Sequence, residues 1–166
     1  MKKCICLLII VFMIGQVQAQ EIRRIKATDL EKIIAESKTP LIINMWATWC
    51  KPCLAELPHF LEEVKKNNEA AGMGDSVQLL LVSLDFKEAF PKEIASVAKK
   101  RKLEAPIAWL DETNADYFCP KLDAKWSGAI PATLFINNKS GYRNFVEGEI
   151  SHEQLKGIMA ILLNVK

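Results

Sequence analysis

The chain has 166 residues, half of them apolar, and a formal net charge of +2. Its length fits one domain and leaves no room for two substantial cores. The small basic excess argues against a nucleic acid partner, which would require positive charge gathered on one face.

The N-terminal segment, residues 1–19, has the layout of a secretory signal peptide. Lys2 and Lys3 precede an apolar run at 5–14, and small residues precede an expected cut ahead of Gln20. The run is short for a membrane span of about twenty residues, although an uncleaved anchor stays open. Cleavage would lower the 22 basic residues to 20, equal to the 20 acidic ones, and would leave three of the five cysteines.

The first elements of the domain are predicted from hydrophobic periodicity and capping residues. Thr28 is expected to cap a helix that ends near Ser37. Residues 41–46 form an apolar run broken only by Asn44, which is typical of a strand buried on both faces of a parallel sheet. A helix is expected over residues 50–67, kinked at Pro58 by the loss of one backbone hydrogen bond.

Further along the chain, strand and helix alternate. Residues 72–75 include two glycines and predict a turn, and a second central strand is expected at 77–84. A helix should open at Pro91 and end near Lys102, followed by a short strand at 107–110.

The remaining residues predict an irregular segment, a hairpin and a final helix. Segment 111–127 is the least regular, with a short helix expected near 113–118. Strands at 132–136 and 142–147 flank a hairpin loop, and Ser151 should cap the final amphipathic helix. Strands separated by helices and followed by a hairpin favour an α/β sheet with helices on both sides.

The stretch Trp-Ala-Thr-Trp-Cys-Lys-Pro-Cys at 46–53 has the spacing of a redox dithiol. Cys50 is expected at the surface where a helix begins, because unpaired N–H groups and the helix dipole favour thiolate there. Cys53, one turn in, should attack the mixed disulfide that Cys50 forms with a substrate. Lys51 adds a cation nearby, and Pro52 fits the first helical turn.

Other uses of two such cysteines are less favoured. A structural zinc site needs four ligands, and the remaining candidates are Cys119 and the scattered His59 and His152, so no metal site is expected. Haem attachment would need histidine where Leu54 stands. A purely structural disulfide stays open, but the loop that it closes is too short to remove much chain entropy.

With this motif the sequence resembles the thioredoxin-like thiol-disulfide oxidoreductases, and within them the TlpA/ResA branch of envelope proteins. The resemblance rests on residues 41–53, on Glu56 and Pro58, and on Gly-Ala-Ile-Pro-Ala-Thr-Leu-Phe-Ile at 128–136. It implies that residues 20–166 form one thioredoxin-like domain of the α/β class, with a central mixed β-sheet and helices on both faces.

The resemblance also implies a second half of the site. The Ile130–Pro131 bond is expected to be cis and packed against the dithiol, and the backbone before the proline would pair with an incoming polypeptide. An ordinary trans proline in a turn is the alternative. Trp49, Lys51 and Pro52, together with Ile130 and Pro131, are the expected substrate contacts.

Glu56 is the candidate acid/base group. Thioredoxins carry a buried aspartate six residues before the first cysteine, where this chain has Asn44, which cannot titrate. Glu56 lies one turn beyond Cys53 on the same side of the helix, and TlpA/ResA-like proteins have a glutamate at the matching place. The alternative is an ordinary carboxylate on the helix surface.

Three more side chains carry competing interpretations. Trp46 and Trp49 are expected to pack around the dithiol and shield it from water, although Trp46 could be a general core residue. Trp126 either lines the peptide groove or anchors the irregular segment. Cys119 is expected to be a buried, unreactive thiol, with a third redox cysteine as the alternative.

The sequence therefore predicts a thiol-disulfide oxidoreductase that acts on exported proteins, as a reductase, in the periplasm or cell envelope. It would need a membrane or envelope electron donor, no cofactor besides the Cys50–Cys53 disulfide, and would act as a monomer. A thiol peroxidase of the same fold would need threonine three residues before its reactive cysteine, where Ala47 stands. A non-catalytic binding module would be expected to have lost one cysteine.

Overall fold

The computed structural model describes residues 21–71 and 76–164, so the expected signal peptide and the turn at 72–75 lie outside it. The described strands are β1 Arg23–Ile25, β2 Leu41–Trp46, β3 Gln78–Ser83, β4 Ile107–Leu110, β5 Ala132–Asn137 and β6 Tyr142–Glu147. The helices are α1 Ala27–Glu36, α2 Lys51–Ala70, α3 Lys92–Arg101, α4 Ala115–Leu122 and α5 His152–Asn164. A short 3-10 turn spans Lys87–Ala89.

The six strands form one mixed sheet in the order β1-β4-β3-β2-β5-β6. Strands β1, β4, β3 and β2 are parallel to one another. Strand β5 is antiparallel to β2 and to β6, and the hairpin pattern predicted the β5–β6 pair. Strand β2 lies between β3 and β5 and is buried along its whole length. The residues that follow β2 therefore lie at the end of a central strand, between the ends of β3 and β5.

Helices cover both faces of this sheet, as expected. Ile42 and Trp46 of β2 pack with side chains of α2, α3 and α5. The alternate residues Leu41, Ile43 and Met45 pack with side chains of α1 and α4 on the other face. This alternation follows from the two-residue period of a strand, and it turns Asn44 toward α2, where it bonds Glu56.

Several boundaries differ from the prediction. Strand β1 was missed because it is only three residues long and begins with two arginines, which give no apolar run. Thr28 is not the N-cap of α1, since the helix starts one residue earlier and Lys26 occupies the cap, its N–H bonded to the Asp29 carboxylate at 2.8 Å. Helix α4 lies at 115–122 rather than 113–118 and contains Cys119.

The cap predicted for the last helix is confirmed. The Gln154 N–H donates to Ser151 Oγ at 3.3 Å, and the Ser151 N–H donates to Gln154 Oε1 at 2.9 Å. This reciprocal pair satisfies two donors that the helix itself leaves unpaired. Among the described helices, none is long and apolar enough to cross a bilayer.

Candidate active site

The dithiol lies where β2 gives way to α2. Cys50 is the N-cap of α2 and forms a disulfide with Cys53, with 5.3 Å between their Cα atoms. The Cys53 N–H also points at Cys50 Sγ, 3.3 Å away. A sulfur that accepts a helix N-terminal N–H is stabilised as a thiolate, so this geometry favours Cys50 as the more acidic thiol.

The sulfur of Cys50 is less open than the sequence suggested. Cys50 is 4% exposed and Cys53 fully buried, so the expected surface position is wrong for the disulfide form. Both side chains belong to the core cluster that includes Trp46, and only three residues separate Trp46 from Cys50. Lys51 and Pro52 are exposed beside them and form the visible rim of the site.

The connection before Cys50 is held by Asp85, which the sequence analysis missed. The Asp85 carboxylate accepts the Thr48 N–H at 3.0 Å, the Thr48 hydroxyl at 2.6 Å and the Ser83 hydroxyl at 2.8 Å. Trp109 Nε1–H donates to the Asp85 carbonyl at 2.7 Å. The available signal was an acidic residue just after a strand that is parallel to and adjacent to β2.

Glu56 is almost fully buried, at 1% exposure, so the alternative of a surface carboxylate is wrong. Its Oε1 accepts from Asn44 Nδ2 and its Oε2 from the Ile150 N–H, both at 2.8 Å. Burial raises the pKa of the Glu56 carboxyl, and the nearby charge of Glu149 raises it slightly more, against the lowering effect of the two hydrogen bonds.

Asn44 fixes the position of this carboxylate. Its Nδ2 donates to Thr133 Oγ1 at 2.9 Å as well as to Glu56, and Thr133 is its direct partner in the β2–β5 register. The residue that cannot titrate therefore orients the one that can. A buried carboxyl whose pKa burial raises, one turn beyond Cys53, is a candidate proton acceptor for that thiol.

The Ile130–Pro131 bond is cis, so the alternative of a trans turn proline is wrong. Pro131 is buried, and the half-buried Ile130 packs against the cluster that contains both cysteines. Trp126 Nε1–H holds this loop through the Ala129 carbonyl at 2.8 Å, and the Gly148 N–H bonds the Pro131 carbonyl at 2.8 Å.

The tryptophans divide by burial. Trp46 is fully buried and is a core residue. Trp49 is 59% exposed, so most of its own side chain faces solvent, and its expected packing around the dithiol stays a prediction. Trp126 is 5% exposed and anchors its segment by packing against Phe118 and Phe145.

Phe86, which the sequence analysis did not single out, is 75% exposed and follows Asp85 directly.

Cys119 is a free thiol at 3% exposure on the opposite face of the sheet from the dithiol. Burial, helped by the charges of Asp116 and Glu147, raises the pKa of its thiol to about 11. A thiol with so high a pKa is protonated at neutral pH and is a poor nucleophile. The structure therefore favours the buried, unreactive role.

His59 and His152 are not scattered in the fold. Their rings stack with centroids 4.5 Å apart where α2 meets the start of α5. This cluster lies outside the dithiol site.

Comparison with known proteins agrees with this architecture. The profile of the AhpC/TSA family matches residues 15–141, more than half of the chain. The chain is 28% identical over 137 residues to "Thiol-disulfide oxidoreductase ResA" of Bacillus cereus, covering 80% of this chain and 70% of that protein. It is 30% identical over 118 residues to "Sporulation thiol-disulfide oxidoreductase A" of Bacillus subtilis, covering 69% and 63%.

Among solved structures, a thioredoxin-related protein from Neisseria meningitidis serogroup B aligns with a TM-score of 0.60 and 26% identity, covering 78% of this chain and 89% of that one. The curated relatives are longer, and the chain spans about 55% to 70% of their length. The expected thioredoxin-like fold and the resemblance to ResA-type proteins are confirmed. The chain belongs to the AhpC/TSA family.

Proposed function

We propose that this protein is a thiol-disulfide oxidoreductase whose working group is the Cys50–Cys53 pair. The observation that supports the proposal most strongly is the position of this disulfide at the N-terminus of α2, with a buried Glu56 one turn beyond it. The cis Pro131 loop packs against the same core cluster.

In the reductase direction, the Cys50 thiolate attacks one sulfur of a client disulfide, and the other client sulfur leaves as a thiolate. The Cys53 thiol then gives its proton to Glu56 and attacks Cys50 Sγ. This second step releases the second client sulfur and leaves the enzyme disulfide, so the client gains the two electrons that the enzyme loses. An external donor must reduce Cys50–Cys53 before the next cycle.

The client would lie across the rim formed by Trp49, Lys51 and Pro52 and along the loop at Ile130 and Pro131. Within the described residues, the N–H and C=O of Ile130 make no hydrogen bond. Such groups can pair with an extended peptide as an added strand. The client is thus held by backbone contacts, which suits an enzyme that acts on many sequences.

Thiol peroxidase activity is the second candidate and is disfavoured by one contact. Ala47 stands three residues before Cys50, and the hydroxyl of the adjacent Thr48 donates to Asp85 at 2.6 Å. That hydroxyl is therefore engaged with a carboxylate rather than available to orient a peroxide.

The clients proposed are exported proteins in the periplasm or cell envelope, with a membrane or envelope protein as electron donor. The N-terminal sequence pattern supports export, and the named activity of the ResA relatives supports the exchange reaction. A monomer without a further cofactor is sufficient for the cycle above.

The decisive experiment compares two single substitutions in a disulfide reduction assay. Cys50→Ser should abolish exchange, whereas Cys53→Ser should accumulate mixed disulfides with clients, because only the first cysteine attacks and only the second resolves. Equal trapping by both variants would contradict the assigned roles.

The direction of electron flow is tested by the reduction potential measured against glutathione. A reduction potential of about −270 mV would support the reductase, whereas a potential of about −120 mV would support an oxidase.

A further inference from the structure

A cluster of metal-ligating side chains lies at the junction of α2 and α5, outside the redox site. His59 and Glu62 are three residues apart on α2 and so share one helix face. His152 is the first residue of α5, and its ring stacks on that of His59 with an interplanar angle of 14°. One ligand atom from each of these three side chains lies within 4.8 Å of the others.

A fourth residue orients His152. Its Nε2 lies 2.9 Å from Oε1 of Glu63, a carboxylate that is only 4% exposed. A bond to a carboxylate places the ring proton of a neutral histidine on Nε2 and leaves the Nδ1 lone pair free to bind. Metal-ligating histidines in proteins are held in this manner by a carboxylate behind the ring.

We propose that His59, Glu62 and His152 bind a divalent transition metal ion of the Zn²⁺ type, with Glu63 as a positioning residue. Two imidazole nitrogens and one carboxylate oxygen form a donor set that zinc accepts, with water completing the coordination. Mg²⁺ and Ca²⁺ are excluded as preferred ions because they favour sites made entirely of oxygen.

The stacked rings set one requirement on binding. Because the His59 and His152 rings are nearly parallel, the nitrogen lone pairs of the two rings do not point at a common position. One ring must therefore rotate before both nitrogens can coordinate a single ion. His59 is the ring that can turn, because it is half buried and no hydrogen bond holds it within the described residues, whereas Glu63 holds His152. The sequence analysis expected no metal site because these histidines are 93 positions apart in the chain, and only the fold brings them together.

The ion would link α2 to the start of α5, two segments that the hydrogen bond between Glu56 and Ile150 already connects. Glu56 lies one turn before His59 on α2, and Ile150, whose N–H bonds Glu56, lies two residues before His152. The site itself is separate from the dithiol, since Cys53 and His59 are about 9 Å apart along the helix axis. Binding should therefore raise the stability of the native state and does not require a free thiol.

The test is a calorimetric titration of the full-length protein with ZnCl₂ at pH 7.5. The protein carries no histidine tag, its Cys50–Cys53 disulfide is formed, and any accessible thiols are alkylated so that sulfur cannot bind the ion. We expect one equivalent of zinc per chain, no heat from MgCl₂, and a rise in the melting temperature with zinc.

Substitutions locate the ligands. His59→Ala should weaken zinc binding at least tenfold without touching Glu63, and Glu62→Gln should weaken it less. Glu63→Gln leaves all three ligands in place and should still cost about tenfold, as expected when a carboxylate behind a ligand is lost. Glu69→Gln, which removes an exposed carboxylate further along α2, is the matched control and should bind as the wild type does.

The proposal is overturned if the oxidised wild-type protein binds no zinc at up to about 100 μM, a concentration at which even a site worth only about 5.5 kcal/mol would be half filled. It is also overturned if His59→Ala binds as tightly as the wild type. His152→Ala should lose binding as well. Should that variant fail to fold, His59→Ala and Glu62→Gln decide the question, because neither removes a contact of Glu63.

Discussion

Glu56 shows how one buried carboxyl can acquire a chemical role through its neighbours. Asn44 and the Ile150 N–H hold its two oxygens, and burial raises its pKa above the ordinary value. Asn44 cannot titrate and supplies only orientation, so the proton-accepting function that we propose lies on α2, at Glu56, and not on β2.

Glu56→Gln should slow thiol-disulfide exchange by on the order of 10²-fold and flatten its pH profile, because the amide keeps the shape but cannot accept the Cys53 proton. Rates measured between pH 5 and 9, with circular dichroism to confirm folding, test this. Glu153→Gln, at an exposed position in the first turn of α5, is the control and should leave the profile unchanged. An unaltered profile for Glu56→Gln would remove the acid/base role.

Cys119 is a cysteine that its surroundings make unreactive, because burial keeps its thiol protonated at neutral pH. Cys119→Ala should leave turnover and reduction potential unchanged and lower the free energy of unfolding by about 1 to 2 kcal/mol, the usual range for truncating a small buried side chain. Urea unfolding and peptide mapping of the oxidised protein test this. A mapped bridge from Cys119 to Cys50 or Cys53 would contradict it.

At the scale of elements, the loop that leads to the cis proline depends on Gly128. Its φ of +93° lies in a region that residues with a Cβ rarely adopt. An added Cβ would meet Cys119 Sγ at 3.5 Å, which is ordinary van der Waals contact, so backbone conformation rather than space sets the cost of substitution.

Gly128→Ala should therefore destabilise the protein by about 1 to 3 kcal/mol, because alanine is strained at this φ. It should also slow exchange, because the strain falls in the loop that carries Ile130 and Pro131. Urea unfolding measures the cost. In a Cys119→Ala background the cost of Gly128→Ala should be the same, since room beside the Cβ does not change φ. Recovery of stability in the double variant would show that crowding, not backbone strain, is the cause.

The sequence predicted the elements whose pattern is strong and local. Strand β2 is apolar at every position except Asn44, and Ser151 and Gln154 form a capping box. The dithiol was found from its spacing within a short stretch of chain, whereas the cis bond before Pro131 was implied by the family resemblance and not by a local pattern. Elements without a local pattern, such as the three-residue β1, were missed.

What the sequence did not reveal is mostly contact across long separations. Asp85 reaches Thr48 from a neighbouring strand, and His59 meets His152 across two helices. The position of Asp85 just after a strand was a usable signal, but nothing in the residues flanking His59 and His152 indicates that the two rings meet. Burial of Glu56 likewise depends on Ile150, which lies 94 positions later in the chain.

For the whole molecule, the face of the sheet that carries α2 and α5 combines redox chemistry, the buried acid and the proposed metal cluster. Strand β2 and the α5 N-terminus both bond to Glu56, so this one side chain links the centre of the sheet to the last helix. Because burial shifts its pKa, its charge state affects global stability as well as the exchange reaction proposed above.

The sign of this effect follows from the raised pKa of Glu56. Between the unfolded value near 4.5 and the higher native value, the native state binds more protons than the unfolded state. The free energy of unfolding then falls as pH rises. The contribution of Glu56 is complete below the unfolded pKa and is lost as pH passes the native one.

Glu56→Gln removes this titration, so the free energy of unfolding of the wild type minus that of the variant should decrease from pH 4.5 upward and level off above the native pKa. Urea unfolding of both proteins in the disulfide form, from pH 4 to 8, measures the difference. Asp111 and Glu147, whose pKa values are lowered by ion pairs and hydrogen bonds, titrate in both proteins and cancel. A difference that stays constant, or grows with pH, would mean that the Asn44 and Ile150 hydrogen bonds outweigh burial and that Glu56 is ionised throughout.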